Sequence, residues 1–261
     1  MQVKAKKHFG QNFLRDESVK KQIIEAIPNS DKIVEIGPGL GDLTRGLLSK
    51  TEQLACFEID TELFVLLEKK FANELNSGHL ELFCKDALNA WQEISQKPYF
   101  LAANLPYYVA TNIILRALRD ENCAGLVVMI QREVALKFCA KAGQSEFCAL
   151  SLLAALHGEC ELLFDVPPAA FEPAPKVFSS VIRLMKTKSP DCDVRAFENF
   201  LKIAFSTPRK TLLKNLSASI EKPLLESIFS TFNIAPNIRP HELNLTLFLK
   251  IFNEVRNGRE K

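Results

Sequence analysis

Apolar residues follow two different periods along the first half of the chain. Between residues 32 and 131, short apolar runs of strand length alternate with stretches whose apolar residues recur about every 3.6 positions. The predicted strands are 32 to 37, 53 to 59, 79 to 84, 99 to 105 and 125 to 130, and the predicted helices include 61 to 75 and 109 to 120. Strands that alternate with helices predict a parallel sheet covered by helices.

The second half of the chain changes from this pattern to a helical one. Residues 149 to 166 predict a helix and then a strand, and residues 177 to 186 predict a last strand, so the sheet should end in an antiparallel pair. The polar stretch 187 to 193 contains a proline and predicts a domain boundary. Four helical segments follow, and Thr207 with Pro208 has the residue types of an N-cap and first helical position. We therefore predict a Rossmann-like α/β domain over 1 to 187 and a small all-helical domain over 188 to 261.

Composition bears on whether the protein crosses a membrane, is secreted, or holds disulfides or a metal. The chain has 261 residues, of which 47% are hydrophobic, and no apolar run approaches the ~20 residues of a membrane-spanning helix. The basic N-terminus lacks the apolar stretch of a secretory signal, so we expect a cytoplasmic protein. The seven cysteines include no Cys-x-x-Cys pair and the four histidines are isolated, which predicts reduced thiols and no metal.

Charge is concentrated near the two ends of the chain. Residues 1 to 21 carry six basic and two acidic side chains, a balance of +4, whereas residues 22 to 201 carry 17 basic and 24 acidic, a balance of −7. Residues 199 to 220 contain four basic side chains and no acid. Basic segments on an acidic body suit a polyanion such as RNA, although a plain solvated surface gives the same pattern. The candidate RNA contacts are Lys4, Lys6, Lys7, Arg209, Lys210 and Lys214.

A glycine-rich turn follows the first strand of the predicted sheet. Gly37, Gly39 and Gly41 are spaced G-x-G-x-G, and Asp42 stands where a dinucleotide-binding turn has its third glycine. Glycines at the carboxyl end of this strand let the backbone approach a nucleotide-like ligand. A nicotinamide-dependent dehydrogenase remains an alternative on this motif alone.

Acidic residues end the next strands. Glu35 stands just before the glycine turn, and Glu58 lies 21 residues after Gly37, the offset at which a carboxylate accepts hydrogen bonds from ribose hydroxyls. Asp86 follows the third strand and could accept a hydrogen bond from an adenine amino group. Carboxylates around an apolar cleft suit a cationic sulfonium ligand without phosphates, although each residue alone could be an ordinary strand-end carboxylate.

The fourth predicted strand ends in Asn104-Leu105-Pro106-Tyr107. The exocyclic amine of adenine is a poor nucleophile because its lone pair is delocalised into the ring. Two acceptors, the Asn104 side-chain oxygen and the Leu105 carbonyl, could orient that amine, while Pro106 fixes the turn and Tyr107 offers a stacking face. Phe171, in the proline-rich loop 171 to 177, is the candidate for the second face of the base.

Taken in order, the segments 8 to 14, 34 to 41, 57 to 60, 85 to 88, 104 to 109, 171 to 184 and 204 to 216 resemble KsgA-type small-subunit rRNA adenine dimethyltransferases over nearly the whole chain. The resemblance implies a class I methyltransferase sheet, S-adenosylmethionine as cofactor, and dimethylation at N6 of two adjacent adenosines in the 3′-terminal stem-loop of 16S rRNA within the small ribosomal subunit. It implies a cofactor site of Gln11, Asn12, Leu14, Gly37, Gly39, Glu58, Ile59, Asp86, Ala87 and Asn104. It implies a target-base site of Asn104, Leu105, Pro106, Tyr107 and Phe171.

Two positions depart from the family pattern, and other functions remain open. Pro208 stands where the family usually has an arginine, and His241 replaces another polar residue, so both bear on RNA docking.

An Erm-type 23S rRNA methyltransferase shares the catalytic motifs but more often has isoleucine after the asparagine. A role chiefly in ribosome assembly and a DNA adenine methyltransferase are further alternatives. Nothing indicates an obligate dimer, so we expect a monomer.

Overall fold

A computed structural model describes residues 5–6, 9–94, 96–187 and 189–259. Internal contacts divide the chain into two compact units. The first, which we call the sheet unit, comprises Met1–Ala135 and Glu159–Thr187, and the second, the helical unit, comprises Leu136–Gly158 and Lys188–Lys261.

In the part of the chain that the structure describes, nine strands form two sheets. They are β1 (Phe13–Leu14), β2 (Ser30–Ile36), β3 (Thr51–Glu58), β4 (Leu80–Cys84), β5 (Tyr99–Asn104), β6 (Cys123–Gln131), β7 (Gly158–Val166), β8 (Phe171–Glu172) and β9 (Ser179–Lys186). The large sheet has the order β4-β3-β2-β5-β6-β9-β7, in which β4 to β6 are parallel and β9 runs antiparallel to β6. This order confirms the predicted Rossmann-like sheet with an antiparallel last strand. In space, this strand β9 lies between β6 and the edge strand β7.

Twelve α-helices connect or follow these strands among the described residues. They are α1 (Glu17–Ala26), α2 (Thr44–Leu47), α3 (Thr61–Lys70), α4 (Ala72–Asn76), α5 (Trp91–Ile94), α6 (Ala110–Arg119), α7 (Arg132–Cys139), α8 (Ala149–His157), α9 (Val194–Ala204), α10 (Leu212–Leu216), α11 (Lys222–Thr231) and α12 (Leu245–Arg259). The predicted helix over 61 to 75 was wrong in one respect, because the chain breaks at Phe71 into α3 and α4. Phe71 leaves helical geometry and is fully buried, so packing of its ring overrides the local helical pattern.

The core of the sheet unit lies on both faces of the parallel strands. Ile33, Leu54 and Leu101 are fully buried, as expected for strands that are covered by helices on each side. Because parallel strands expose their carboxyl ends at one edge, the residues that follow β2, β3, β4 and β5 meet there.

The helical unit is built around phenylalanines. Phe197 and Phe200 of α9 contact Phe252 of α12, with ring centroids 5.2 and 5.6 Å apart respectively. Asp193 caps α9 by accepting a hydrogen bond from the Ala196 N–H at 3.0 Å. The interlocked rings supply the apolar burial that holds these short helices together.

The start of the second C-terminal helix was predicted wrongly. Thr211, not Thr207, caps α10, and its hydroxyl accepts from the Lys214 N–H at 3.3 Å. The Thr207 carbonyl instead accepts from the Lys210 N–H at 2.9 Å and from the Asn215 side chain at 3.1 Å. These two bonds hold the chain in a turn, which explains why the helix begins later.

The predicted domain limits and the two units differ in one place. The join after residue 187 coincides with the predicted boundary, whereas residues 136–158 belong to the helical unit. Helix α8 lies in this segment and packs against α9 and α12. The division into domains that fold separately stays a prediction.

Candidate active site

The glycine turn after β2 needs glycine at each of its three positions. Gly37, Gly39 and Gly41 have φ angles of 70°, 60° and 75°, a left-handed region that other residues rarely adopt. A Cβ at Gly41 would lie 2.5 Å from the Phe71 ring, whereas a Cβ at Gly37 would meet no atom within 4 Å. Gly41 therefore serves packing, and Gly37 leaves open space in front of the turn.

Glu58, at the end of β3, is held by two backbone groups. One carboxylate oxygen accepts from the Gly39 N–H at 3.0 Å and the other from the Asp60 N–H at 2.9 Å. The side chain is buried, and burial raises its pKa above the ordinary value despite these bonds. Glu58 is thus fixed in one position beside the glycine turn.

Glu35 lies deeper, near the end of β2. Its carboxylate accepts hydrogen bonds from the Thr44 hydroxyl at 2.7 Å and from the Cys56 thiol at 3.3 Å. Burial raises the pKa of Glu35 to about 7 and raises that of the Cys56 thiol well above its ordinary value. Cys56 is consequently an inert thiol.

Asp86 follows β4 and shapes its own loop. One oxygen accepts from the Leu88 N–H at 2.9 Å and the other from the Asn89 side chain at 3.0 Å. An ionised carboxylate has about four acceptor positions, so Asp86 can accept further hydrogen bonds from a ligand.

The end of β5 presents two acceptors. The Asn104 amide nitrogen donates to the Asn12 carbonyl at 3.2 Å, which leaves the Asn104 side-chain oxygen without a donor among the described residues. The Leu105 N–H donates to the Met129 carbonyl at 3.1 Å, but no described residue donates to the Leu105 carbonyl. The Pro106 carbonyl accepts from the N–H groups of Val109, just before α6, at 3.2 Å and of Ala110, its first residue, at 3.1 Å, so the helix start fixes this turn.

Tyr107 is anchored from the antiparallel strand. Its hydroxyl lies 2.8 Å from the hydroxyl of Ser179 at the start of β9, and Ser179 is fully buried. Burial also raises the pKa of Tyr107 above its ordinary value. The hydrogen bond fixes Tyr107, which lines the same cavity as Asn104.

The N-terminal segment reaches the site through a residue that the sequence analysis did not single out. Asp60 accepts hydrogen bonds from the Lys6 ammonium at 2.7 Å and from the Gln11 side chain at 2.9 Å. The sequence signal for Asp60 is that it is the second acid of Phe57-Glu58-Ile59-Asp60, two residues after Glu58.

One cavity of the sheet unit brings nearly all the predicted site residues together. Its lining includes Gln11, Asn12, Leu14, Gly37, Gly39, Glu58, Ile59, Asp86, Ala87, Asn104, Leu105, Pro106 and Tyr107. Phe171 is not among the lining residues. It lies in strand β8 rather than in a loop, pairs with Leu14 of β1, and is only 5% exposed in the hydrophobic core.

The predicted RNA contacts differ in their surroundings. Arg209, Lys210 and Lys214 are exposed on the helical unit and form no ion pair with a described residue. Lys6 pairs with carboxylates, and Lys4 and Lys7 lie outside the described residues. The described part of the chain holds no group of three or more His, Cys, Asp or Glu side chains arranged for a metal, and none of its helices is long and apolar enough to cross a membrane.

The sheet order, the glycine turn and the strand-end carboxylates define a class I methyltransferase fold. A dimethyladenosine transferase from Plasmodium falciparum has this fold, with a TM-score of 0.83 and 24% identity over 94% of this chain and 98% of that one. The 23S rRNA methyltransferase ErmE has a TM-score of 0.74 and 23% identity over 94% of this chain and 100% of that one.

Sequence comparison then gives the family. A family model described as "Ribosomal RNA adenine dimethylase" matches residues 2–257. Proteins named "Ribosomal RNA small subunit methyltransferase A" are 58% identical in Campylobacter fetus, over 99% of this chain and 98% of that protein, and 52% identical in Campylobacter jejuni, over 97% and 96%. This chain belongs to the ribosomal RNA adenine dimethylase family, which confirms the resemblance. The close relatives carry the small-subunit name, whereas the likeness to ErmE concerns the fold.

Proposed function

We propose that this protein transfers methyl groups from S-adenosylmethionine to N6 of two adjacent adenosines in the 3′-terminal stem-loop of 16S rRNA, giving N6,N6-dimethyladenosine. The family supplies the reaction class. The observation that carries the proposal for this chain is a pair of acceptors, the Asn104 side-chain oxygen and the Leu105 carbonyl, which receive no hydrogen bond from a described residue and belong to residues that line a cavity with several carboxylates.

The cavity suits the proposed cofactor in charge and shape. Four acids and one lysine line it, namely Glu35, Asp42, Glu58, Asp86 and Lys85. This excess of acids disfavours phosphates and favours a cation. Glu58 would accept from the ribose hydroxyls and Asp86 from the adenine amino group. Ile59 and Ala87 would contact the adenine ring. The residues proposed to enclose the methionine end are Gln11, Asn12, Leu14, Gly37 and Gly39.

The chain's own contribution to catalysis is orientation of the target amine. Bound S-adenosylmethionine supplies an electrophilic methyl group on a sulfonium. Asn104 and Leu105 accept hydrogen bonds from the two N6 hydrogens, so the nitrogen lone pair points at the cofactor side of the cavity. Tyr107, held by Ser179, gives the adenine a stacking face. A strong base is not needed, because the nitrogen becomes acidic once it is alkylated.

Phe171 supports the cofactor site through its backbone rather than through stacking of its ring. Its backbone pairs with Leu14, a cavity residue, so β8 supports the segment that lines the cofactor site. The role of Phe171 as a second stacking face stays a prediction, and it requires the ring to leave its buried position.

RNA binding is proposed for the basic segment of the helical unit. Arg209, Lys210 and Lys214 are exposed and lack carboxylate partners among the described residues, so their charges are available to phosphates. The 16S rRNA is the proposed partner. The cytoplasmic location, the monomeric state and the absence of a metal stay predictions.

Methyl transfer tests the proposal directly. Purified protein is incubated with tritiated S-adenosylmethionine and under-methylated small ribosomal subunits, and the RNA is digested to nucleosides. We expect labelled N6,N6-dimethyladenosine from the 3′ end of 16S rRNA alone. Label in 23S rRNA would favour an Erm-type enzyme, and no label in either would favour an assembly factor.

An Asn104→Ala variant tests the role of the Asn104 side-chain oxygen as an acceptor for the target amine. It removes one acceptor, so we expect loss of transfer while the cofactor dissociation constant stays within a few fold. Simultaneous loss of cofactor binding would mean that Asn104 holds the cofactor rather than the target base.

Charge reversal tests the RNA-binding segment. We expect the double variant Arg209→Glu with Lys210→Glu to bind RNA more weakly and to lower the slope of log K against log salt by about 1 to 2. Lys222→Glu, an exposed lysine of α11, is the matched control. An unchanged slope in the double variant would exclude both residues from the interface.

A further inference from the structure

A buried carboxylate joins the N-terminal segment to the wall of the cavity. Asp60 is only 1% exposed, and one of its oxygens accepts from the Lys6 ammonium at 2.7 Å and from the Glu62 N–H at 3.0 Å. The other oxygen accepts from the Gln11 side chain at 2.9 Å. Both oxygens of one side chain are thus used to hold residues more than forty positions earlier in the chain.

The same residue is connected to Glu58. The Asp60 N–H donates to one Glu58 oxygen at 2.9 Å, and the other Glu58 oxygen accepts from the Gly39 N–H at 3.0 Å. A continuous path of hydrogen bonds therefore runs from Lys6 and Gln11 through Asp60 and Glu58 to the glycine turn.

Further hydrogen bonds of the described N-terminal residues join the segment to itself or to the end of β5. Within it, the Lys6 N–H donates to the Gln11 side-chain oxygen at 2.8 Å, and Asn12 is held by the Asn104 side chain at 3.2 Å. Lys6 also approaches Glu62 at 3.1 Å, but Glu62 is 67% exposed, so this second pair contributes little. Asp60 is thus a single buried side chain that holds both Lys6 and Gln11.

The charge state of Asp60 favours this attachment. Burial alone would raise the pKa of Asp60, but the hydrogen bonds from Lys6 and Gln11 outweigh burial and hold the pKa below its ordinary value. The Lys6 pKa is raised, chiefly by the same bond. Both groups are charged at neutral pH.

We infer that Asp60 is a positioning residue that latches Lys6 and Gln11 at the cofactor cavity, so that opening of this latch sets the rate at which cofactor leaves. The inference rests on the proposed function, because it takes S-adenosylmethionine as the ligand. Gln11 and Asn12 line the cavity, so a released segment would remove part of its wall. A protein that is latched for only a fraction of the time binds its ligand more weakly by that fraction.

Asp60→Asn distinguishes two roles of Asp60, the attachment of Lys6 and Gln11 and the capping of α3. Asp60 also caps α3 through the Glu62 N–H, and asparagine is an equally good N-cap of the same size. The variant therefore keeps the helix start and loses the attraction to Lys6. We expect cofactor to dissociate about tenfold faster, equivalent to about 1.4 kcal/mol, with a similar rise in Kd and little change in association rate.

The probe is S-adenosylhomocysteine, measured by calorimetry and stopped-flow displacement, with hydrogen exchange of residues 5 to 16 as a structural readout. We expect Asp60→Asn to speed exchange in this segment and Glu62→Gln, the matched control, to stay within twofold of wild type. Lys6→Gln should reproduce the effect, and combining it with Asp60→Asn should add little, because both remove the same pair. Lys6 lies outside the core, so this variant also serves if Asp60→Asn fails to fold.

The outcomes are distinguishable. Wild-type protein that does not bind the probe would overturn the proposed function and the latch with it. Normal wild-type binding, together with unchanged dissociation and exchange in both Asp60→Asn and Lys6→Gln, would overturn the latch alone.

Discussion

The buried carboxylate of Glu35 should make the protein less stable as pH rises. Its pKa is about 7 in the folded protein against an ordinary value of 4.5, chiefly because burial disfavours the charged form. Below pH 4.5 the group is protonated in both states and contributes no pH dependence. Between pH 4.5 and 7 the unfolded chain releases the proton first, so stability falls as pH rises and the loss is complete above pH 7. The difference corresponds to about 3 kcal/mol, at about 1.4 kcal/mol per pH unit.

Glu35→Gln removes this pH dependence with little change in shape. Glutamine can still accept the Thr44 hydroxyl, which lies 2.7 Å from Glu35. Urea unfolding of the cofactor-free protein at pH 5 and pH 8 would give the free energy of unfolding of each form. Because the unfolded chain has already lost part of this proton at pH 5, we expect wild type to lose about 2.5 kcal/mol more than the variant between these pH values. Glu68→Gln, at an exposed position of α3, is the control and should follow wild type.

The informative quantity is how steeply the free energy of unfolding changes with pH. The variant can be less stable than wild type at every pH because of its buried amide group, so the absolute values do not decide the question. Parallel curves for wild type and Glu35→Gln would refute the reasoning. They would mean that Glu35 titrates alike in the folded and unfolded states, and therefore that the cavity solvates it.

Two further pairs of variants separate packing from binding. Gly41→Ala should lower the melting temperature more than Gly37→Ala, because its methyl group meets the Phe71 ring at 2.5 Å, while Gly37→Ala should mainly weaken cofactor binding in calorimetry; the reverse order would contradict the assignment. Tyr107→Phe and Ser179→Ala should each lower kcat several-fold and leave the cofactor Kd unchanged. The double variant should have the same kcat as either single variant, because all three proteins lose the same hydrogen bond. Additive losses in kcat would show that the two hydroxyls act separately.

The large sheet could be predicted because each strand has its own local signal. Buried parallel strands are continuous apolar runs, and the runs at β2, β3 and β5 were located to within two residues. The errors fall where a distant contact decides the local conformation. The turn at Thr207 depends on the Asn215 side chain, and the break between α3 and α4 depends on burial of Phe71.

The candidate site also contains residues that local sequence signals predict and residues whose position depends on distant contacts. Glu58, Asp86 and Asn104 each end or follow a strand, so the rule that ligands bind at the carboxyl ends of parallel strands is enough to predict that they share a cavity. Asp60 follows β3 as Asp86 follows β4, but the rule does not identify its partners Lys6 and Gln11, which are 54 and 49 positions earlier in the chain. Phe171 has a suitable residue type, but the pairing of β8 with β1 buries its side chain.

The cavity itself carries a stability cost that its proposed ligand would offset. Burial raises the pKa of both Glu35 and Glu58, so each is less favourable in the folded protein near neutral pH than it would be in water. A protein selected for stability alone would place neutral residues here. A cationic sulfonium ligand lowers the cost of these charges when it binds, whereas a phosphate-bearing nucleotide would increase it. The two buried acids therefore argue for the methyl donor over a dinucleotide more strongly than the spacing of the glycine turn does.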